Sequence, residues 1–268
     1  MSKVLILGAT GSLGRYVMQQ AIAANHEVSA LVRTPSKLPA KVRERVVVHQ
    51  ADLAATSAAD LAAILQGHDA VINAAGLVNE GQGFVDLVGR VVSGLESLPE
   101  QDRPVCWFLA GAALLKLDDR GRRGVDLRPI AATYWPHRAN YDRIRQTALD
   151  WRVLCPGPMV HQQPLGLARM RISLDRVPVG LPSFVRSLPG ALVLPFFVRR
   201  VPEMIVSYAD AAALMLANLT PAGEMSRRRV GLALPVGMRG KKAQWGARPS
   251  AAQQSDTLNT QAVGGDAP

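Results

Sequence analysis

Cysteine is scarce in this chain, and nothing in it has the spacing of a metal site. Of 268 residues only Cys106 and Cys155 are cysteines, each inside an apolar run that reads as a strand. Buried free thiols in a reducing compartment are favoured over a disulfide between them. There is no CxxC, no HExxH and no Cys/His cluster, so no metal is expected. Long apolar runs are missing as well. No stretch approaches the ~20 apolar residues of a membrane span, and the nearest, 188–198, is broken by Pro189, Gly190 and Pro195. The first apolar run, 3–7, is too short for a signal peptide and runs straight into glycines. These absences predict a cytoplasmic protein with no transmembrane segment.

Acidic charge is the scarcer sign, with 21 Asp and Glu against 31 Lys and Arg and a net charge of +10. Such an excess invites a nucleic-acid reading, so its distribution decides. Half of it lies after residue 226, in Arg227, Arg228, Arg229, Arg239, Lys241, Lys242 and Arg248 against Asp256 and Asp266. The remainder is spread thinly, and no nucleic-acid partner is expected.

What is present is a regular alternation of strand and helix periods. The continuous apolar run at 3–7 reads as a central strand buried on both faces, and 27–32, 45–49, 70–73, 105–109 and 152–155 read as further strands. Helical periods lie between them, at 12–24 with Leu13, Val17, Ala21 and Ala24 on one side, at 57–66, and at 83–98 with Phe84, Leu87, Val88, Val91 and Leu95 inward. A helix ends at 140–149, another covers 208–219, and 229–234 is a last strand. The pattern predicts an α/β fold: a Rossmann-like doubly wound parallel sheet with right-handed crossovers. It occupies 1–236, of which about 157–236 shapes a substrate cleft. From 237 to 268 the chain is polar, basic and nearly free of large apolar residues, and it reads as a disordered tail.

The chemistry-bearing signal is Gly8-Ala9-Thr10-Gly11-Ser12-Leu13-Gly14. It stands between a first strand and a first helix. There a first glycine permits the tight turn, a second admits the pyrophosphate and a third lets helix and sheet approach. The helix start offers N–H groups and partial positive charge to phosphates, and Thr10 and Ser12 add hydroxyls. About 20 residues further on, where an acid would bind the ribose of NAD, stands Arg33. A guanidinium suits a 2′-phosphate, so NADP(H) is favoured over NAD(H). Asp52 and Leu53 after the third strand, and Asn73, Ala74, Ala75 and Gly76 after the fourth, should line the same crevice. Asn73 reads equally well as a residue that ties off its strand.

The run GATGSLGRYVMQQAIAANHEVSALVRTPSKL resembles the opening of the atypical short-chain dehydrogenase/reductases, in the NmrA-like and biliverdin IXβ/flavin reductase-like branch. INAAG, DWRVLCPGPM and VSYADAAALMLANL resemble that group's fourth strand, sixth strand and final helix. The resemblance implies one NAD(P)-binding domain with a cleft built by its C-terminal segments. Pro156 and Gly157, ending the sixth strand, then fall near the nicotinamide. It also exposes a departure. Short-chain enzymes carry a Ser after the fifth strand and a Tyr-x-x-x-Lys on the next helix. Here the strand runs into Leu109-Ala110-Gly111-Ala112-Ala113, and the nearest pattern is Tyr134 with Arg138. Pro136 reads as a helix start. Counting back 19 residues from Pro156, where the branch keeps a Lys or His, gives His137, with Tyr141 a turn later.

His137, Tyr134 and Tyr141 are therefore the candidate proton donors, His137 alternatively a ligand of the nicotinamide ribose or of an anionic substrate, and Arg138 is a candidate anion holder. His161, beyond the sixth strand, reads as a solvated loop residue. The apolar segment 177–202 reads as core packing, a substrate lid, an oligomer contact or a membrane-surface patch. The function expected is NADP(H)-dependent reduction of a small apolar carbonyl, quinone or flavin-like substrate. The rivals are a non-catalytic NADP(H) sensor and, less favoured without the dyad, a nucleotide-sugar epimerase or dehydratase.

Overall fold

The computed structural model describes residues 1–182, 184–185 and 188–241. Its first half alternates as the periodicity predicts: β1 (Lys3–Leu7), α1 (Ser12–Ala23), β2 (Glu27–Val32), a short α2 (Ala40–Arg43), β3 (Val47–Gln50), α3 (Ala58–Leu65), β4 (Ala70–Asn73), α4 (Gln82–Glu96) and β5 (Val105–Leu109). Then follow α5 (Arg128–Ile144), β6 (Trp151–Pro156), β7 (Met159–Val160), β8 (Arg171–Leu174), α6 (Gly190–Arg200), β9 (Val206–Ser207), α7 (Tyr208–Leu216) and β10 (Arg228–Ala233).

One eight-stranded sheet has the order β3-β2-β1-β4-β5-β6-β10-β8. Every neighbouring pair in it is parallel except β10 with β8. From β1 the chain winds outward to β3 and then returns to β4 on the other side. That reversal opens a crevice above the carboxyl ends of β1 and β4. Alternation along β1 divides the core. Val4 and Ile6 pack with α1 and α7 (Val17, Ala21, Ala211, Met215), while Leu5 and Leu7 pack with α3 to α5 (Leu61, Val88, Val91, Ile144).

Several expectations are corrected. β8, with its Arg-Ile-Ser-Leu sequence, is an edge strand that periodicity alone did not reveal. Its half-exposed residues lack the continuous apolar run of a central strand. Helix α5 begins two turns before Pro136, with Pro129 in its first turn. Pro136 lies inside the helix and has no N–H to return to the carbonyl of Ala132. Ala132 is exposed, so that carbonyl can turn to water. Ala24 falls past the end of α1 and is exposed rather than inward. The tail read from 237 lies, from 242 onward, outside the described residues. Its first residues are tied down, the Gly240 N–H donating to Pro202 O at 2.8 Å.

Segment 177–202 is core packing in part. Val179, Leu181, Val185, Val193 and Phe197 join a satellite core with Ala112, Leu117, Leu127 and Met204, while Phe184, Leu192 and Val198 stay exposed. Asp210 fixes the loop beyond β7 to α7. Its carboxylate accepts the N–H groups of Leu165 and Gly166 and the hydroxyl of Ser207.

The tightest contact in the sheet's upper layer gives a stability prediction. A Cβ on Gly14 would stand 2.2 Å from the Gly8 carbonyl oxygen. Its neighbours are backbone and cannot swing aside, so Gly14→Ala should cost about 3 kcal/mol, the upper end of ordinary overpacking. Urea unfolding of wild type and variant checks the value.

Candidate functional site

The β1–α1 turn is shaped by backbone pressing on backbone. Gly8 has φ +80°, and a Cβ there would lie 2.7 Å from the Ala75 nitrogen, so the exits of β1 and β4 touch. The Ala74 N–H donates to Leu7 O at 2.9 Å, and the Ala75 N–H to Asn73 Oδ1 at 3.1 Å. Asn73, 2% exposed, thus ties off its strand, one of the two roles its position allowed. Gly76, φ +89°, lets the Phe84 ring close against the same loop.

Gly11 differs from its two partners. A Cβ there would meet only Gly8 O, at 3.2 Å, so its other side is open. Gly11 is the N-cap of α1, no side chain caps the helix and its first turn holds no acid. The N–H groups at the helix start therefore have room and field for an anion. A dinucleotide pyrophosphate fits this cradle.

Two arginines flank it. Arg33, just beyond β2, is exposed, and its side chain makes no ion pair or hydrogen bond among the described residues. Arg15 extends its guanidinium to Gly11 O, Nε to oxygen 3.4 Å. On the far side, Asp52 uses one carboxylate oxygen on the Ala54 N–H at 3.0 Å, and Leu53 is buried.

At the exit of β5 stands a second constellation. His137, on α5, is 8% exposed. Its ring meets the edge of Phe84 at 5.8 Å and stacks on Tyr134 at 5.9 Å. Gly111 lies beside the ring, a Cβ there coming into ordinary contact with Nε2 at 3.4 Å. The Nδ1 atom is buried without a partner. A buried lone pair costs less than a buried unsatisfied N–H, which places the proton on Nε2, facing Gly111. Burial pushes the imidazole pKa down to about 4. His137 is thus neutral at neutral pH. A neutral ring still offers one N–H to an acceptor.

Comparison with known proteins agrees with this geometry. The model of a family described as NAD(P)H-binding matches residues 8–172, from the first glycine of the turn to β8. The chain belongs to the NAD(P)H-binding family. Among curated proteins it is 26% identical over 160 residues to the uncharacterized protein YwnB of Bacillus subtilis strain 168, covering 58% of this chain and 71% of that one. Among solved structures it is similar to a candidate NADH-flavin reductase of Streptococcus pneumoniae (19% identity, TM-score 0.62, 87% of this chain and 100% of the other). It is similar too to ChuY, an anaerobilin reductase of Escherichia coli O157:H7 (15% identity, TM-score 0.58, 87% and 98%). At these identities the structural likenesses show the fold. They agree with the fold that the resemblance implied, and the family gives an NAD(P)H-binding chain with a nicotinamide cofactor.

In this NAD(P)H-binding chain the glycine turn, Asn73 to Gly76 and Gly111 with His137 stand at strand ends along one edge of the sheet. Other expected residues are turned elsewhere. Tyr141 sets its ring against the edge of Trp151 at 5.9 Å, with the Arg229 guanidinium 4.8 Å over its face, so packing holds it. Arg138 faces Asp126 and Asp142, at 3.9 and 3.8 Å, rather than Tyr134. Gly157 is pressed by the Met204 carbonyl, which a Cβ would approach to 2.5 Å, and Pro156 is buried.

His161 is not a free loop residue. Its Nδ1 lies 3.2 Å from the Tyr16 hydroxyl, and its ring packs against both Tyr16 and Tyr208, which also stack on each other. Burial lowers its pKa, with nearby Arg15 adding to the shift. Sequence reasoning missed this cluster and Arg15. The only signal for either was position, one and two residues past the third glycine. Among the described residues no three His, Cys, Asp or Glu side chains cluster to hold a metal. No helix there is long and apolar enough to cross a membrane.

The depressed pKa of His137 carries a sign. The unfolded imidazole, pKa ≈ 6.5, binds a proton as pH falls below that value, while the folded one waits until about 4. Stability should therefore drop by up to about 3 kcal/mol between pH 6.5 and 4 from this group alone. In His137→Phe, which keeps a ring between Phe84 and Tyr134, urea unfolding at neutral and acid pH should lose that part of the pH dependence.

Proposed function

We propose that the chain is an NADP(H)-dependent reductase of a small, fairly apolar carbonyl, quinone or flavin-like substrate, acting in the cytoplasm. The observation that carries the cofactor choice is Arg33. It stands exposed and without a side-chain partner among the described residues, where the ribose of the adenosine half would lie beside an open glycine turn. A charged fork there recognises a 2′-phosphate and gains nothing from a hydroxyl. The nicotinamide supplies the hydride, and the protein supplies position and polarity. The Phe84–Tyr134–His137 notch gives an apolar floor. The Nε2–H of His137 donates to an oxygen that gains negative charge during reduction. Tyr134, exposed and stacked on His137, holds a second hydroxyl donor at the same mouth.

A second reading has its own support. The β5 exit offers only Ala110, Gly111, Ala112 and Ala113, and His137 is neutral and buried. A protein that binds NADP(H) without turning it over, a sensor, needs nothing more than this.

Fluorescence titration separates the cofactors. Arg33→Asp should raise the Kd for NADPH by about 10- to 100-fold, the loss of one or two charge-assisted hydrogen bonds, and leave that for NADH nearly unchanged. Equal effects on the two would remove the phosphate role. NADPH oxidation across a panel of quinones, flavins and aldehydes separates reductase from sensor, because tight binding without turnover on any of them favours the sensor. With a turned-over substrate, His137→Phe should lower kcat about 100-fold, the usual cost of one oxyanion donor, at unchanged NADPH affinity. Unchanged kcat would exclude His137 from the chemistry.

A further inference from the structure

Helix α6 is apolar on both sides, but the protein covers only one of them. Val193 and Phe197 point into the satellite core. On the opposite side Leu192 and Val198 are each 53% exposed, with Pro195 exposed between them. Phe184, 59% exposed, extends this surface by setting its ring against the edge of Phe196 at 5.4 Å. At the end of the helix the Arg239 guanidinium donates to the Arg199 carbonyl at 2.9 Å. That bond brings Val236 and Met238, both exposed, alongside. A helix that is hydrophobic all round is one that something covers.

The charges around this surface are of one sign. Arg199, Arg239 and Lys241 are exposed and make no ion pair among the described residues. Arg200 is taken up by Glu203. From residue 177 to 223 the acids are Glu203 and Asp210, and both are buried. On the neighbouring loop Asp118 is bound to Arg122 and Asp119 to Arg176. Among the described residues of these segments no exposed, unpaired carboxylate is thus offered to whatever covers α6. A second copy docked about a twofold axis would set the same arginines against themselves. An anionic lipid surface complements both the apolar side chains and the cations.

We propose that the exposed face of α6, with Phe184, Val236 and Met238, docks this protein on an anionic membrane surface. Leu192, Val198 and Phe184 enter the headgroup boundary, and Arg199, Arg239 and Lys241 meet the phosphates. The buried side of the same helix packs with Ala112 and Leu127 beside the Gly111–His137 notch. Docking therefore holds the mouth of the crevice close to the lipid. The proposal needs no turnover, so it stands or falls separately from the reductase reading.

The test is co-sedimentation of the full chain with vesicles of phosphatidylcholine alone, and with vesicles in which about a third is phosphatidylglycerol. The protein should partition onto the anionic vesicles only and be released by salt. Leu192→Gln with Val198→Gln should weaken that partition about tenfold, from lost apolar burial. Because both side chains are exposed, thermal midpoint and NADPH affinity should not move. If that pair proves unstable, Arg199→Gln with Arg239→Gln gives a second reading, loss of the salt-dependent part. Absence of partition by the wild type overturns the proposal. So does a double variant that binds like wild type, which would locate the attraction elsewhere, for instance in the basic residues near the C-terminus. A wild-type dimer in light scattering that becomes monomeric in the Leu192/Val198 variant would assign the face to a second copy instead.

Discussion

Two close approaches of backbone to backbone hold the upper edge of this protein together, and both centre on Gly8. Its oxygen lies only 2.2 Å from where a Cβ of Gly14 would stand, and its own missing Cβ leaves space for the Ala74–Ala75 backbone. Side chains can repack around an intruding methyl group, whereas backbone cannot, so the glycines are demanded by geometry before any ligand is considered. The consequence is functional. With α1 seated this close to β1 and β4, its uncapped first turn overlooks the crevice where the strand order reverses. Gly11 alone has an open side. One close contact thus brings together the turn, the helix field and the strand exits that a dinucleotide requires.

What could be read from the sequence follows from which residues carry redundant signals. β1, β2, β4 and β5 were legible to the residue, because central parallel strands are continuous apolar runs that end at turn or polar residues. The start of α5 was not, because its interior Pro136 mimics a beginning while the real first turn already holds Pro129. α6 was hidden for the same reason, with Pro195 inside an apolar segment. The glycine turn and Arg33 were legible as a local spacing. The His137 notch was only half legible. Phe84 looked like ordinary helix core, and its meeting with His137 depends on α4 packing against α5. Tyr16, His161 and Tyr208 come from three separate segments, and nothing local links them.

His137 shows how burial decides chemistry after position has been settled. A count along the chain placed an imidazole near the β5 exit, and the fold put one there. Yet enclosure by Phe84, Tyr134 and Gly111 removes the water that would stabilise its charge. The residue is left as a rigid, neutral, directional donor. Such a group orients and polarises an acceptor but does not deliver a proton as an acid of pKa near 7 would. A quinone or flavin can take its final proton from water once reduced, so this notch suits them better than it suits interconversions that need a proton shuttle at carbon.

The same separation of position from environment reinterprets the chain's positive charge. By sequence half of the excess belonged to the C-terminal basic residues and the rest was spread thinly. In the fold, burial withdraws Glu203 and Asp210 from the surface of the C-terminal region and pairs Arg171 and Arg200 with the former. Around α6, what remains outside is a set of cations beside exposed leucine, valine and phenylalanine side chains, with Glu224 the exposed acid between α7 and β10. Such a surface is set by which acids the core consumes, and net charge alone would not have located it. It also explains why α6 can be apolar on both faces in a chain whose described helices are all too short or too polar to span a bilayer. One face completes the satellite core over the β5 exit, and the other is left to an environment that is apolar and negatively charged at once.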